Sequence, residues 1–172
     1  MPNDPESFFT IRTFRPEDAD ACRHLYVEGL IGGKLADNDT GYDIDDIPGC
    51  YLRRSCNHFW VAQLRDGKVV GMIGVQQHDA GVGEIRRLRV AADFRRRGIG
   101  SALIRTALQF CQEHQYIKIE LDSYVEREPA LRLFEKFRFR HERTRDIHGK
   151  SLMYFYLDLY RRQPERHHEG AD

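Results

Sequence analysis

The chain has 172 residues, with 27 Lys and Arg against 27 Asp and Glu. That length suits one domain with its own core, and the balanced charge gives no bulk pull toward nucleic acid or a membrane surface. Four cysteines, Cys22, Cys50, Cys56 and Cys111, include no C-x-x-C pair, so reduced structural thiols are expected rather than a disulfide framework. Cys50, Cys56 and His58 match no common zinc spacing, and no metal site is expected. Met1-Pro2-Asn3-Asp4 lacks the basic and apolar stretches of a secretory signal. No apolar run approaches the ~20 residues of a membrane span, and the expected location is the cytoplasm.

In chain order, Phe8–Phe14 reads as a first strand, with Ile11 and Thr13 alternating against Arg12. Pro16-Glu17-Asp18 suits a helix start, and Ala19, Cys22, Leu25, Tyr26 and Leu30 follow at helical spacing until Gly29, Gly32 and Gly33. A shorter helix is predicted near Ile44–Ser55, with Pro48-Gly49 disturbing its start. The period then changes to two: strands His58–Arg65 and Lys68–Val75 flank Asp66-Gly67, a type I′ hairpin signal. Strand 84–90 leads into an amphipathic helix, Ser101–His114, whose Ile99, Leu103, Ile104, Ala107, Leu108 and Cys111 share one face. Tyr116–Leu121 is a further strand, and Pro129 opens a helix carrying Leu131, Phe134 and Phe137. Two closing strands, about 139–145 and 150–159, are joined across Asp146–Gly149. Residues 161–172 form a polar tail that is expected to be disordered. This order predicts an α+β (mixed α/β) domain in three layers, helices on either side of a central, mostly antiparallel sheet, over residues 1–160.

The most informative segment is Glu84–Ser101. A strand ends in Leu88-Arg89-Val90, and Arg95-Arg96-Arg97-Gly98-Ile99-Gly100-Ser101 then opens the long helix. Glycines at a strand-to-helix turn let backbone approach a ligand, and the free N–H groups of a helix start attract anions. Arginines beside them add planar donors suited to phosphate. The third position of G-x-G-x-x-G is Leu103, so the dinucleotide-binding pattern fails; no Gly-Lys-Ser/Thr follows, so the P-loop pattern fails too. An ordinary turn for the glycines, and a solvated basic turn or nucleic-acid patch for the arginines, stand as alternatives.

From about Phe59 to Phe139 the chain resembles the GNAT superfamily of acyl-CoA N-acyltransferases, whose signature is Arg/Gln-x-x-Gly-x-Gly/Ala after a strand ending in Leu-x-Val. The resemblance implies the same three-layer fold, an acetyl-CoA co-substrate without a metal, and transfer of an acetyl group to an amine acceptor. It also implies that Leu88, Arg89 and Val90 line the pantetheine arm, and that Arg95, Arg96, Arg97, Gly98, Ile99, Gly100 and Ser101 hold the diphosphate. Ala130, Leu133 and Phe134 stand where the later helix of the family borders the cofactor.

Transfer to an amine requires loss of a proton from the acceptor. Glu84 is the candidate base, near the position that the histone-acetyltransferase branch would assign; by period two it shares a side with Arg86, Leu88 and Val90. A strand-edge carboxylate paired with Arg86 or Arg87 is the alternative. The tyrosine usual in the family's later helix is Phe134 here, its glycine is Arg138, and an asparagine often seen before it is Arg127. Tyr124, Tyr154 or Tyr156 could replace the missing acid, or the departing thiolate, with a pKa near that of a free thiol at about 8.5, could leave unaided.

Asp37, Asp39, Asp43, Asp45 and Asp46 crowd one loop. They read either as an acidic rim that draws in a cationic amine or as solvated loop polarity. An acyl-CoA-binding module without catalysis, and a nucleic-acid surface built on the arginines, are the competing functions. A homodimer is held only as a base rate.

Overall fold

The computed structural model describes residues 7–31 and 39–160. The expected tail, 161–172, and Asp37 lie outside the described residues. The elements are β1 (Phe9–Thr13), α1 (Ala19–Glu28), α2 (Tyr42–Asp45), β2 (His58–Leu64), β3 (Val69–Asp79), β4 (Val82–Val90), α3 (Ile99–Glu113), β5 (Lys118–Tyr124), α4 (Glu128–Lys136), β6 (Arg140–Ile147) and β7 (Lys150–Asp158). They build a seven-stranded sheet in the order β1-β2-β3-β4-β5-β7-β6. Every neighbouring pair is antiparallel except β4 and β5. The predicted three-layer α/β architecture is therefore the one observed.

Each face of the sheet has its own core. Alternation sends Trp60, Ala62, Ile73, Val75 and Ile85 to one face, where Ile99, Leu103, Ile104, Ala107 and Cys111 of α3 cover them. Phe59, Val61 and Met72 point to the other face, against Cys22, Leu25 and Tyr26 of α1 and against Ile44, Ile47 and Tyr51. Leu103, Ile104, Phe59 and Tyr51 are all fully buried, and each such aliphatic side chain contributes about 1.5–3 kcal/mol of transfer free energy.

Several local expectations are adjusted. The predicted second helix divides into the single turn α2 and a π-turn over Pro48–Leu52, because Pro48 can only begin a helical segment. The fifth strand starts at Lys118 rather than Tyr116: Gln115 takes φ 59, and the Tyr116 hydroxyl turns away to donate to Cys56 O at 2.5 Å. The Asp66-Gly67 hairpin is not type I′, since Gly67 has φ 93 but Asp66 is not left-handed. Its Gly67 N donates to Leu64 O, which makes a type I turn closed by a left-handed glycine. The type I′ requirement is met instead between β6 and β7, where His148 and Gly149 both have positive φ. Arg138, at the family's glycine position, also holds a left-handed φ of 64.

The largest departure lies in β4. Gly74 pairs with Arg86 and Met72 with Arg89, so the one residue of β3 between them, Ile73, is matched by two of β4, Arg87 and Leu88. The extra residue makes a bulge, with Arg87 at φ 59. Alternation breaks there: Glu84 and Arg86 face the α1 side, whereas Leu88 and Val90 pack into the α3 core. The shared side expected for Glu84, Leu88 and Val90 is thus corrected. Arg87 turns toward α1, where it meets Asp39 (2.5 Å), Asp43 (2.5 Å) and the face of the Tyr26 ring (5.1 Å).

That ion bridge joins the bulge to the segment after α1. Burial would raise the pKa of Asp39 and Asp43, but the hydrogen bonds and charge of Arg87, together with a hydrogen bond from Gly41 N to Asp39 and from the Tyr51 hydroxyl to Asp43, outweigh it and hold both below 3.8. Groups with depressed values stabilise the fold above their unfolded pKa, and that stability is lost as pH falls through the folded value. Urea denaturation should therefore show stability dropping as pH is taken from about 4 downwards. Arg87→Ala should cost about 3–5 kcal/mol at pH 7 by leaving two part-buried carboxylates unpaired, and that cost should shrink in acid.

Candidate active site

β4 and β5 are paired only where Val82–Glu84 lie beside Lys118–Glu120. Beyond that point they part, and a cavity of about 690 Å³ opens between them, walled by Glu84–Val90, Leu121–Tyr124, the start of α3 and one side of α4. The splay follows from each strand's other obligation. The β4 bulge is locked to β3 and Asp39, while β5 stays in register with β7 from Lys118 to Tyr124.

At the mouth of the cavity, Gly98 caps α3 with φ 83, and no side chain caps the helix. The first helical bond runs from Ala102 N to Gly98 O, so the amides of Ile99, Gly100 and Ser101 lack the partner that a preceding turn would supply. A Cβ on Gly98 would meet nothing within 4 Å, which shows open space above the helix start. Gly100 serves differently: its missing side chain lets Leu133 of α4 come within 3.0 Å of the Cβ position. This geometry fits a diphosphate held by backbone amides.

Most of the predicted cofactor residues gather here. Leu88, Arg89, Val90, Arg95, Arg96, Gly98, Gly100, Ser101, Ala130, Leu133 and Phe134 all line the cavity. Ile99 does not: its side chain is buried in the core, and only its backbone is available. Arg97 does not either, and its guanidinium stacks over Phe94 at 5.4 Å. Arg95 Nε donates to Val90 O at 3.1 Å and Arg89 Nη1 to Leu88 O at 2.9 Å, so both carbonyls expected to serve a pantetheine arm are engaged by arginines. Lys136, missed in the sequence, donates to Ser101 Oγ at 3.0 Å beside the helix start.

Glu84 and Asp122 line the same cavity. Glu84 pairs with neither Arg86 nor Arg87; its nearest ionic partner is His78 Nδ1 at 3.5 Å. Asp122 has no ion-pair partner among the described residues, and although it is open to the cavity it is surrounded by protein. Burial raises its pKa, and the negative charge of Glu84 raises it further. Sequence reasoning missed Asp122. The available signal was its period-two phase with Glu120 and Tyr124 on a strand beside the motif strand. Tyr124 lines the cavity. Tyr154 and Tyr156 do not, the first lying against Arg143 at 4.5 Å and the second under Lys118 at 5.3 Å. Phe134 is buried against Phe139 and Phe155.

The aspartate loop is largely engaged within the fold. Asp39 and Asp43 bind Arg87, Asp45 accepts from Arg23 at 3.0 Å, and Asp46 accepts from Gly49 N at 2.9 Å. Of these, Asp39 lines the cavity. Among the described residues no cluster of side chains could hold a metal ion, and no helix is long and apolar enough to cross a membrane.

Residues 19–139 match the acetyltransferase (GNAT) family, and the chain belongs to that family. N-acetylaspartate synthetase of Danio rerio is 34% identical over 133 residues, covering 77% of this chain and 46% of that protein. The human protein of the same name is 36% identical over 100 residues, covering 58% of this chain and 33% of its own. Human N-acetyltransferase 8 is 35% identical over 103 residues, 57% of this chain and 45% of its own. The chain thus spans between about a third and just under half the length of these relatives. Among solved structures, a GNAT-family acetyltransferase from Staphylococcus aureus Mu50 superposes with a TM-score of 0.77 at 19% identity, covering 88% of this chain and 99% of that one. A GCN5-related N-acetyltransferase from Kribbella flavida gives 0.72 at 20% identity, with 91% and 100% covered. These two likenesses establish the fold.

A carboxyl whose pKa is raised by folding favours the fold when protonated, below its unfolded value of 3.8; that stability is lost as pH rises through the raised value. Asp122→Asn should therefore increase the melting temperature at pH 7–8, and the gain should vanish below about pH 3.8.

Proposed function

We propose that the protein is an acetyl-CoA-dependent N-acetyltransferase acting on a primary amine by direct attack in a ternary complex. The observation that carries this reading is one continuous cavity lined by an uncapped helix start and by two carboxyl groups, Glu84 and Asp122. The names of the relatives, N-acetylaspartate synthetase and N-acetyltransferase 8, support nitrogen as the acceptor atom.

Acetyl-CoA would supply an activated thioester, whose C–S bond breaks as the C–N bond forms. The amides at the start of α3, with Arg95 and Arg96 beside them, hold the diphosphate. Asp122 takes the ammonium proton of the acceptor. Its raised pKa makes it a better proton acceptor than an ordinary carboxylate. Glu84 maintains that pKa through its own charge and provides a second acceptor on the same face. Tyr124, two residues beyond Asp122 on β5, stands in for the tyrosine that Phe134 replaces and protonates the departing thiolate.

Calorimetric titration tests the cofactor half. Acetyl-CoA and CoA should bind and ATP should bind far more weakly. Gly98→Glu should weaken acetyl-CoA binding by about 100-fold or more, because a carboxylate then faces the diphosphate where charge-assisted hydrogen bonds were made. Gly98→Ala carries the same left-handed backbone strain without the charge and should lose much less. Unchanged affinity in the glutamate variant would overturn the assignment.

Thiol release with an amine panel tests catalysis. Asp122→Asn should lower kcat by about 10²–10⁴-fold and flatten the rise of rate with pH. Tight acetyl-CoA binding without transfer to any amine would favour a non-catalytic binding module, the reading that Phe134 supports.

A further inference from the structure

Arg89 and Arg127 are two guanidinium groups on the cavity wall, and among the described residues neither has a carboxylate partner. The Nε of Arg89 is shielded from solvent and has no hydrogen-bond acceptor, and its Nη1 reaches only the carbonyl of the preceding residue, Leu88. Arg127 Nη2 donates to Gly29 O at 2.6 Å, at the end of α1. Gly29 is also where Arg89 packs: any Cβ there would collide with the Arg89 side chain. The end of α1 therefore brings both groups to one place. Asp39, the acid whose charge acts on both, already spends its carboxylate on Arg87 and on Gly41 N. Burial and the charges of Arg127 and Arg87 pull the Arg89 pKa down to about 9, which still leaves it cationic at neutral pH. The buried Tyr26 hydroxyl beneath Arg87 also lacks a partner.

Adjacent buried cations without an anion destabilise a fold, since desolvation and mutual repulsion act together. A ligand anion would compensate both. The phosphates of a CoA molecule have another place, at the uncapped start of α3 beside Arg95, Arg96 and Lys136. The site at Arg89 and Arg127 adjoins that place, since the charge of Arg95 acts on Arg127, but it is held against Gly29 at the end of α1 and suits a small planar anion with two oxygens.

Resting on the acetyltransferase reading, we propose that Arg89 and Arg127 form a carboxylate-binding subsite, so that the amine acceptor is an amino acid or a similar amino carboxylate. The acceptor's carboxylate takes the donors left open on Arg89 and Arg127, while its amine reaches toward Asp122. This is the opposite of a cation-seeking acidic rim, whose aspartates are mostly engaged in pairing within the fold.

The test uses the full chain, acetyl-CoA and a matched panel: L-aspartate, L-glutamate and neutral L-amino acids, each beside its amide or its decarboxylated amine. Thiol release should occur with carboxylate-bearing members and fall at least about 30-fold in kcat/KM when the carboxylate is removed. Arg89→Gln should raise KM for the best acceptor by about 30-fold or more while kcat falls less. Acetyl-CoA affinity, measured by calorimetry for Arg127→Gln, a residue outside the expected cofactor contacts, should change less than about threefold, while KM for the acceptor rises as in Arg89→Gln. The melting temperature of Arg89→Gln should be equal or higher, because a shielded charge with no carboxylate partner among the described residues has been removed.

Equal turnover of decarboxylated amines overturns the subsite, as does acetyl-CoA binding with no acetylation of any carboxylate-bearing member. A loss of acetyl-CoA affinity in Arg127→Gln as large as the loss for the acceptor would instead assign the anion to the cofactor's phosphates, and would also overturn it. Failure of the unaltered protein to bind acetyl-CoA would overturn the acetyltransferase reading and this proposal together.

Discussion

β4 must pack against α3 on one face, line a cavity along one edge and carry a run of arginines through the middle of the domain. A regular strand would send alternate arginines of Arg86-Arg87-Leu88-Arg89 into the α3 core. The added residue at Arg87 resolves the conflict: Arg86, Arg87 and Arg89 reach the α1 side, and Leu88 and Val90 still fill the core. The left-handed backbone at Arg87 is disfavoured by about 1–2 kcal/mol, and the bridge to Asp39 and Asp43 offsets it. Because those acids follow α1, one ion bridge ties the sheet's bulge to the layer that covers it.

The cavity is a consequence of the same constraint. Parallel pairing between β4 and β5 ends at Glu84 and Glu120, just before the bulge, and the strands cannot rejoin beyond it. The opening exposes an edge of β4 to whatever lies between the strands. The start of α3 stands at the mouth of this gap because a short turn, Ala92–Phe94, and the loop through Gly98 connect it directly to β4. An uncapped helix start and a pair of carboxyl groups thus share one cavity although they come from separate segments.

Electrostatics inside the cavity divides along the same lines. Arg95, Arg96 and Gly98 at the start of α3 are exposed, where charge is easily tolerated. Along β4 and β5 the charged groups act on one another: Glu84 shifts the protonation of Asp122, and Arg127 that of Arg89. Such opposed environments within one cleft are typical of sites that move protons and orient charged ligands.

Much of this was legible in local patterns. Strand alternation, the helical stripe from Ile99 to Cys111 and the Gly98-x-Gly100 turn each depend on neighbours within a few residues, so the amino-acid order alone determined the element order, the fold class and the glycine turn that opens α3. Residues separated by long stretches of chain had to be brought together by the fold. Only the tertiary structure decided that Glu84 and Leu88 lie on opposite faces, because an inserted bulge residue shifts the phase without any glycine to announce it. It likewise turned Ile99 inward and Arg97 onto Phe94, engaged Asp39 and Asp43 with Arg87, and set Asp122 beside Glu84. That Arg89 has no carboxylate partner among the described residues belongs to this second kind as well, since a charge is unpaired only relative to what is packed around it.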